Sequence, residues 1–435
     1  MVDIAIGGHL PCPDGMGAAA FIGAISVGSM LFNLLYWNFA FLRAGTGGLT
    51  AQALGRGDMH ECASIFARAM ALSAAMAVLV LLLQWPFVKL GLLLTDATPE
   101  VEKLALTYFF IRIWAAPATI SLMAFSGWFV GMQDSVSSMW KDLIVNGVNI
   151  GASAVMALGV GKWEGLGFPG VALGTVIAQY SGLLFCILVS IFKYRKVLGT
   201  FRLGELRSLL EGESLRGFFR MNLDLFGRSL CFTAIYLGYT MIAARYGDLM
   251  LACSAIMMQL LMIFSYFTDG FAYAGEALSG RFIGARDSAM LSRTVRRVFV
   301  WSMSIAVLFV GIYWVSGVPL LRLMTSDQAV VDACRAFLPW LILMPPLGCA
   351  AFTWDGIYLG ATKSRSVFFA MFGAAVCFLG TWFAGRLLSA GTSAGHLFGS
   401  DPDVAAMHWL LAAYFAHLLF RTVYLSLRYR RDIIC

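Results

Sequence analysis

The chain has 435 residues, of which 60% are hydrophobic and only 13% are charged, and its mean hydropathy is +0.79. A soluble domain carries about 25% charged residues, so this composition excludes an ordinary soluble protein and indicates residence in a lipid bilayer. The net charge of +7 comes from basic residues that long apolar runs interrupt, and this pattern argues against a nucleic-acid partner.

Apolar runs long enough to span a membrane follow one another along the chain, since a span needs about 20 residues. In the first half they cover residues 18–42, 65–94, 104–130, 144–160 and 171–192. In the second half they cover residues 218–244, 249–278, 298–320, 329–359, 367–388 and 405–425. We number them spans 2 to 12, because residues 1–10 resemble the end of the seventh span and are a partial span 1. We expect about 20 further residues of span 1 to precede Met1.

The two halves repeat each other at a fixed offset. Asp58 and Asp287 close the related runs Gly-Arg-Gly-Asp and Gly-Ala-Arg-Asp, and 287 minus 58 gives an offset of 229. The same offset matches Pro117 with Pro346, Gly127 with Gly356, Gly131 with Gly360, and Ser135 with Ser364. A repeat of half the length in so apolar a chain indicates a transporter with two lobes.

Basic loops predict the orientation of the protein in the membrane. Lys and Arg are concentrated between the halves, after span 8 and at the C-terminus, so the positive-inside rule places these segments in the cytoplasm. Six spans in each half make the halves parallel repeats. We predict an all-α membrane protein of two parallel six-helix bundles, with lobes at residues 1–195 and 218–435 and a cytoplasmic linker at residues 196–217.

Motifs of several other protein classes are absent from the sequence. The nine Cys form no C-x-x-C pair and the five His form no H-E-x-x-H set, so we expect no metal site. No Walker A motif occurs, and we therefore expect an ion gradient to drive transport. No convergent acid, base and metal set is found at one membrane depth, so we predict neither an enzyme nor a cofactor.

Acidic residues within the spans are functional-site candidates, because burying each one costs about 2.5 to 3.5 kcal/mol. Asp3 in span 1 is the best candidate, since no basic residue lies within a helical turn of it. Asp224 lies four residues from Arg228, so an ion pair explains it better than transport does. The other three candidates are Asp269, Glu276 and Asp355.

These three acids have structural as well as functional explanations. Asp269 and Glu276 lie on one face of span 8, where they either line a cavity or bond to Arg43 of span 2. Asp355 lies near the inner end of span 10, where it takes part in transport, caps the helix or pairs with a basic residue. The candidate partners of Asp355 are Lys363 and Arg365.

Spans 2 and 5 carry polar stripes at helical spacing, Asn33, Tyr36 and Trp37 on the former and Asn146, Asn149 and Ser153 on the latter. These polar side chains either complete a network with Asp3 or hold helices together, at about 0.6 kcal/mol per bond.

The prolines in spans 4 and 10 free backbone carbonyls and predict hinges. These prolines are Pro117, Pro345 and Pro346. The candidate substrate-cavity residues are Asn33, Tyr36, Trp37, Gln52, Asp269, Glu276 and Asp355.

Several of these runs resemble one transporter family. Residues 41–58, FLRAGTGGLTAQALGRGD, resemble the second-span signature of the multidrug and toxic compound extrusion (MATE) family in its DinF-like branch. Residues 269–287 resemble the eighth span of that branch, residues 355–362 its tenth and residues 165–179 the start of its sixth. The resemblance implies export of amphipathic, often cationic compounds across the inner membrane in exchange for protons or sodium.

The same resemblance implies roles for particular residues. Asp3 matches the acid that the branch uses for proton coupling, and Asn149 matches its partner on span 5. Ser153 stands where many relatives carry a second acid, so Asp3 carries more of the coupling, and we expect protons rather than sodium. We predict a monomer in the bilayer with a small-molecule substrate. The alternatives are a membrane-embedded enzyme or a flippase for lipid-linked saccharides, although a flippase needs a cationic cavity and the buried positions here are more acidic than basic.

Overall fold

The computed structural model describes Asp3, Ile6, Gly7 and residues 18–92, 98–161, 163–201, 213–325, 327–391 and 401–434. Within these residues the chain is helical, and the only β-type pairing is an isolated bridge between Val160 and Trp163. Nine of the described helical segments are long and apolar enough to span a membrane, or ten if one bent pair counts as a span. The prediction of an all-helical membrane protein is confirmed.

The helices of the first half correspond to spans 2 to 6. They are α1 (Ala18–Trp37), α2 (Ala40–Gly55), α3 (Met59–Leu82), α4 (Gln84–Leu92), α5 (Pro99–Arg112), α6 (Ala116–Gly131), α7 (Ser135–Leu158), α8 (Phe168–Lys193) and α9 (Arg195–Leu198). A 3₁₀ turn, Ile113–Ala115, joins α5 to α6. Of the partial span 1, the three described residues, Asp3, Ile6 and Gly7, are helical, and the rest lies outside the described residues.

The helices of the second half correspond to spans 7 to 12. They are α10 (Glu213–Ala244), α11 (Gly247–Gly284), α12 (Ser288–Met324), α13 (Gln328–Arg335), α14 (Leu338–Gly360), α15 (Ser364–Gly391) and α16 (Pro402–Tyr429), followed by a π-helical turn, Arg430–Ile434. Contacts divide the chain into a first unit, Met1–Ala53 with Asp58–Arg216, and a second unit, Leu54–Gly57 with Gly217–Cys435. Residues 202–212 of the predicted linker lie outside the described residues.

The turns that follow matched helices have the same backbone geometry. After α2, Gly57 has a φ of 75°, and Asp58 caps α3 by accepting a hydrogen bond of 2.9 Å from the Glu61 amide. After α11, Arg286 has a φ of 57°, and Asp287 caps α12 through a 2.9 Å bond from the Met290 amide. The offset of 229 found in the sequence therefore describes two copies of one local fold.

Glycines at matched positions let helices pack backbone to backbone in each unit. In the first unit, a Cβ on Gly127 of α6 would lie 2.1 Å from the carbonyl oxygen of Arg43 in α2. In the second unit, a Cβ on Gly356 of α14 would lie 2.1 Å from the carbonyl oxygen of Ala272 in α11. Arg43 and Ala272 are themselves 229 positions apart (272 minus 43). Only glycine fits these contacts without moving the helices.

Candidate functional site

Asp3 lies in a polar cluster inside the first unit. The Tyr108 hydroxyl donates a hydrogen bond of 2.8 Å to Asp3 Oδ2, and the Thr175 hydroxyl donates one of 3.2 Å to the same oxygen. Both donors are buried side chains, with Tyr108 fully shielded and Thr175 5% exposed. The direct partners of Asp3 are therefore neutral hydroxyls from α5 and α8.

The Tyr108 hydroxyl also contacts a cationic side chain, that of Arg112. Tyr108 and Arg112 lie four residues apart in the last turns of α5, so they share one helix face, and Arg112 Nη1 donates a 2.7 Å hydrogen bond to the Tyr108 hydroxyl. The guanidinium lies 4.8 Å from the centre of the Phe32 ring, which provides a cation–π contact. Gly28 of α1 provides space for Tyr108, because a Cβ there would lie 2.5 Å from the ring.

Asn149 and Ser153 join the cluster from α7. The Asn149 amide donates to the Thr175 hydroxyl over 3.1 Å and lies 3.4 Å from the Ser153 hydroxyl. The close approach of α7 and α8 depends on Gly174, where a Cβ would lie 2.4 Å from the Ser153 Cα atom. The predicted trio of Asp3, Asn149 and Ser153 is thus brought together, with Thr175 linking the acid to the amide.

The second unit holds a different acidic centre. Asp355 on α14 is buried, and its Oδ2 accepts hydrogen bonds from Arg228 on α10, at 2.5 Å, and from Arg421 on α16. The expectation that Asp355 caps its helix or pairs with Lys363 or Arg365 is wrong. The expected Asp224–Arg228 pair is also wrong, because Arg228 bonds to Asp355 while Asp224 accepts a 2.8 Å hydrogen bond from the Ser364 hydroxyl. Two carboxylates are candidates for pairing with Arg228: that of Asp224, four residues earlier on the same helix, and that of Asp355 on another helix. Arg228 pairs with Asp355.

Known proteins are similar to the chain in sequence and in structure. The MatE family model matches residues 15–155 and 225–379, one segment in each half. The chain belongs to the MATE family. The DNA damage-inducible protein F of Escherichia coli K12 is 31% identical over 375 residues, which are 84% of this chain and 77% of that protein. The probable multidrug resistance protein NorM of Photorhabdus laumondii is 25% identical over 382 residues, or 85% of this chain and 79% of that protein.

Solved structures support the MATE fold independently. A crystal structure of a MATE protein in the straight conformation has a TM-score of 0.83 at 15% identity, and the match covers 100% of this chain and 92% of that chain. A crystal structure in the bent conformation gives 0.82 at 16% identity, with 99% and 91% coverage. Identities this low show the fold alone. The predicted family and its all-helical MATE-like fold are confirmed.

Three arginines of this MATE protein were missed as site residues although they lie in predicted spans. The prediction of buried charge was confined to acids, whereas Arg112, Arg228 and Arg421 fall inside the apolar runs at residues 104–130, 218–244 and 405–425. The rule that singles out a membrane-buried acid applies equally to a base. Among the described residues of the second unit, the buried charged side chains are two acids, Glu276 and Asp355, and one base, Arg421. Arg228 is part-buried, so the expectation that buried positions are more acidic than basic agrees with this unit.

The other candidate cavity residues of the MATE chain have varied environments. On α1, Asn33 and Trp37 are exposed and Tyr36 is half-buried, and Gln52 of α2 is half-buried. On α11, Asp269 is half-buried and Glu276 is fully buried. Their role in a substrate cavity stays a prediction. Among the described residues, no group of three His, Cys, Asp or Glu side chains is placed to hold a metal ion.

The prolines of the MATE chain lie at two different kinds of position, one next to a helix irregularity and two inside a continuous helix. Pro117 lies in the first turn of α6, directly after the 3₁₀ turn that interrupts span 4. Pro345 and Pro346 lie inside the continuous helix α14, while span 10 bends by 60° between α13 and α14, several residues earlier. The bend of span 10 is therefore not at its prolines, and the hinge roles stay a prediction.

Proposed function

We propose that this MATE protein is a secondary active exporter that expels amphipathic or cationic small molecules across the inner membrane in exchange for protons. The observation that carries the proposal is the environment of Asp3, an acid in an apolar lobe whose direct donors are the Tyr108 and Thr175 hydroxyls. Such a carboxylate takes up a proton without first breaking an ion pair. Intramembrane acids of this kind are typical of proton relays in pumps and transporters.

Exchange requires that the proton and the substrate favour different states of the protein, because a ligand shifts an equilibrium only through its differential affinity for the two states. A proton on Asp3 favours the state that releases substrate outward. Loss of that proton restores a negative charge, which increases the affinity for a cationic substrate. Asn149 and Ser153 serve this step through Thr175, which shares its hydroxyl between the acid and the amide.

Further parts of the proposal follow from the loops and from the names of the relatives. The C-terminus lies in the cytoplasm, because the arginines of the last residues follow the positive-inside rule. The protein acts as a monomer and catalyses no covalent chemistry. The multidrug resistance named for the NorM relative supports a substrate class of drug-like compounds.

The test uses the protein reconstituted in liposomes, with ethidium as the cationic probe and a pH-sensitive dye inside the vesicles. We expect ethidium to drive a proton flux in the opposite direction, and we expect Asp3→Asn to abolish that flux. Glu164→Gln is the matched control, because Glu164 is an exposed acid of the same unit in the turn between α7 and α8. It should retain the flux of the unmodified protein.

Two results would contradict the proposal. Proton-coupled ethidium transport that persists in Asp3→Asn removes Asp3 from the mechanism. Transport that follows a sodium gradient and ignores a proton gradient removes the proton as the coupling ion.

A further inference from the structure

Arg112 reaches Asp3 through a single hydroxyl group. We propose that Arg112 and Tyr108 are positioning residues of the proton site: Arg112 acts through the Tyr108 hydroxyl to stabilise ionised Asp3, and the pair thereby sets the pH at which Asp3 takes up its proton. This inference rests on the proposed function and assigns the regulation of its coupling site.

The direction of the hydrogen bonds is fixed by the chemistry of the three groups. A guanidinium only donates and an ionised carboxylate only accepts, while a tyrosine hydroxyl does both. Arg112 therefore donates to the Tyr108 oxygen over 2.7 Å, and Tyr108 gives its one hydrogen to Asp3 over 2.8 Å. Each hydrogen bond polarises the next, so the two bonds are strongest when Arg112 at one end is cationic and Asp3 at the other end is ionised. A neutral Asp3 loses the charge-assisted part of this stabilisation.

Arg112 has no other described carboxylate as a partner. Its remaining contacts are the Ser29 hydroxyl at 3.4 Å and the faces of Phe32 and Tyr108 at 4.8 and 5.4 Å. Arg112 is part-buried, and a guanidinium that is partly removed from water is stabilised by a nearby negative charge. Asp3, one hydroxyl away, supplies that charge when it is ionised.

Other groups around the site are neutral, so they do not mask the effect of Arg112. Among the described residues, α8 contributes Thr175 and α7 contributes Asn149 and Ser153, none of which titrates. From α1, Ser29 faces Arg112, and Tyr36 lies close enough to interact with Arg112 electrostatically. Tyr108 and Arg112 of α5 are thus the titratable or charged groups of the described network that face Asp3.

The repeated scaffold separates a packing role from a site role. At the offset of 229, Tyr108 corresponds to Phe337 and Arg112 to Leu341 (337 minus 108 and 341 minus 112). Phe337 and Leu341 are buried members of the apolar core of the second unit. The second unit therefore packs an aromatic ring and an aliphatic chain at these positions, although Phe337 lies at the break between α13 and α14 and Tyr108 lies inside α5. The hydroxyl and the guanidinium are additions that packing does not require.

The test measures ethidium-driven proton flux as a function of pH in liposomes. Arg112→Leu and Tyr108→Phe introduce the residues that the second unit holds at the matched positions. Removing the cation removes the stabilisation of the ionised carboxylate, so we expect the midpoint of the pH profile to move upward in Arg112→Leu. Tyr108→Phe should move it in the same direction, and Arg112→Lys should retain most of the original midpoint. Lys103→Gln, which removes an exposed cation of the same helix, is the matched control.

A second measurement covers variants that fold but turn over slowly. Proton release on ethidium addition to the protein in detergent, followed with a pH indicator, reports the same midpoint without transport. If Arg112→Leu does not accumulate in the membrane, Tyr108→Phe, which lacks a single oxygen, decides the question.

The outcomes distinguish this inference from the proposed function. An unchanged midpoint in both Arg112→Leu and Tyr108→Phe, together with loss of flux in Asp3→Asn, overturns the positioning role and leaves the exporter mechanism in place. Retained coupled flux in Asp3→Asn overturns the exporter mechanism itself, whatever the arginine variants do. An upward shift in both variants, with Lys103→Gln unmoved, supports the positioning role.

Discussion

Matched positions of the two units carry opposite chemistry on the same scaffold. The polar cluster of the first unit contains Tyr108, Arg112, Asn149 and Ser153. At the offset of 229, the second unit has Phe337, Leu341, Phe378 and Trp382, and all four are buried in one apolar core. The Gly127 and Gly356 contacts and the Asp58 and Asp287 caps repeat between the units, whereas the polar site does not. Helix packing in these two repeats therefore accommodates either polar or apolar side chains at these four positions.

Part-buried Asp3 and buried Asp355 differ in the same way. Asp3 is bonded to neutral hydroxyls, and its cation lies one tyrosine away. Asp355 is bonded directly to two guanidinium groups. Protonating Asp355 would leave two arginines of the second unit without their counter-charge, while protonating Asp3 breaks no direct ion pair. This difference supports the proposal that Asp3 exchanges protons, whereas Asp355 bonds α14 to α10 and α16.

The largest expected effect is on the stability of the second unit. Asp355→Asn removes the carboxylate to which Arg228 and Arg421 both bond, and breaking a buried ion pair from one side costs about 3 to 5 kcal/mol. We expect a clear fall in the thermal unfolding temperature of the protein in detergent. The Asp3→Asn variant should lose transport with a much smaller fall in that temperature.

Two further variants test the reason for this loss. Asp224→Asn alters an acid of the same unit that accepts a hydrogen bond from Ser364, so its cost should be about 1 kcal/mol. Replacing Asp355, Arg228 and Arg421 together by Leu and Met should recover stability, because an apolar replacement of a whole ion cluster is often neutral. An unfolding temperature for Asp355→Asn equal to that of the unmodified protein would refute the structural role of Asp355.

A smaller and symmetric effect is expected at the matched glycines. Gly127→Ala and Gly356→Ala each place a Cβ 2.1 Å from a backbone carbonyl oxygen of the neighbouring helix. Overpacking of this kind costs about 1 to 3 kcal/mol. We expect both variants to lower the unfolding temperature by similar amounts in detergent, because the two contacts are copies of one geometry.

The chain supplies a matched control for these alanines. Gly151 and Gly380 are also 229 positions apart (380 minus 151) and lie in α7 and α15, and a Cβ added at either position would have no atom within 4 Å. Alanine at either position should be neutral or stabilising by about 0.5 to 1 kcal/mol. A strong loss in one unit and none in the other at the Gly127 and Gly356 pair would show that the repeated packing has diverged.

The repeated packing could be predicted from the sequence because its signals are local. The pairs Gly127 with Gly356 and Asp58 with Asp287 mark a close helix contact and a helix cap in each unit, so matching Asp58 with Asp287 was enough to align the two units. The cap geometry and the glycine contacts agree with that alignment. Such glycine and aspartate signals can be recognised in the sequence without knowing which helices are neighbours.

The polar site could be predicted only in part because its bonds join distant helices. Asn149 and Ser153 share a helical spacing that the sequence displays, and Asp3 was indicated by its apolar surroundings. Tyr108 and Thr175 bond to Asp3 across 105 and 172 positions, and no spacing rule links them. The pairing of Asp355 with Arg228 spans 127 positions and was missed for the same reason.

The smallest expected effect is a difference in pH dependence at a matched turn outside the spans. Asp134, between α6 and α7, corresponds to Lys363, so the two units carry opposite charges at this turn. Burial would raise the pKa of Asp134, but hydrogen bonds from Lys193, Ser137 and Tyr194 outweigh it and lower the pKa below its usual value. The Lys193 ammonium and the Tyr194 hydroxyl lie 2.7 and 2.8 Å from the carboxylate.

A lowered pKa in the folded state means that the Asp134 contribution to stability is complete above the unfolded pKa, which is about 3.9 for aspartate. It is lost as the pH falls through the lower folded value. We therefore expect the difference in unfolding temperature between the unmodified protein and Asp134→Asn to be constant near neutral pH and to shrink below about pH 4. Tyr194→Phe keeps the carboxylate and removes one donor, so its difference should be smaller and should shrink over the same range. A difference for Asp134→Asn that grows as the pH falls would mean that burial of the carboxylate outweighs the three hydrogen bonds. The negative charge of Asp134, which distinguishes this turn from the matched turn of the second unit, would then contribute no net stability, and packing would hold the turn.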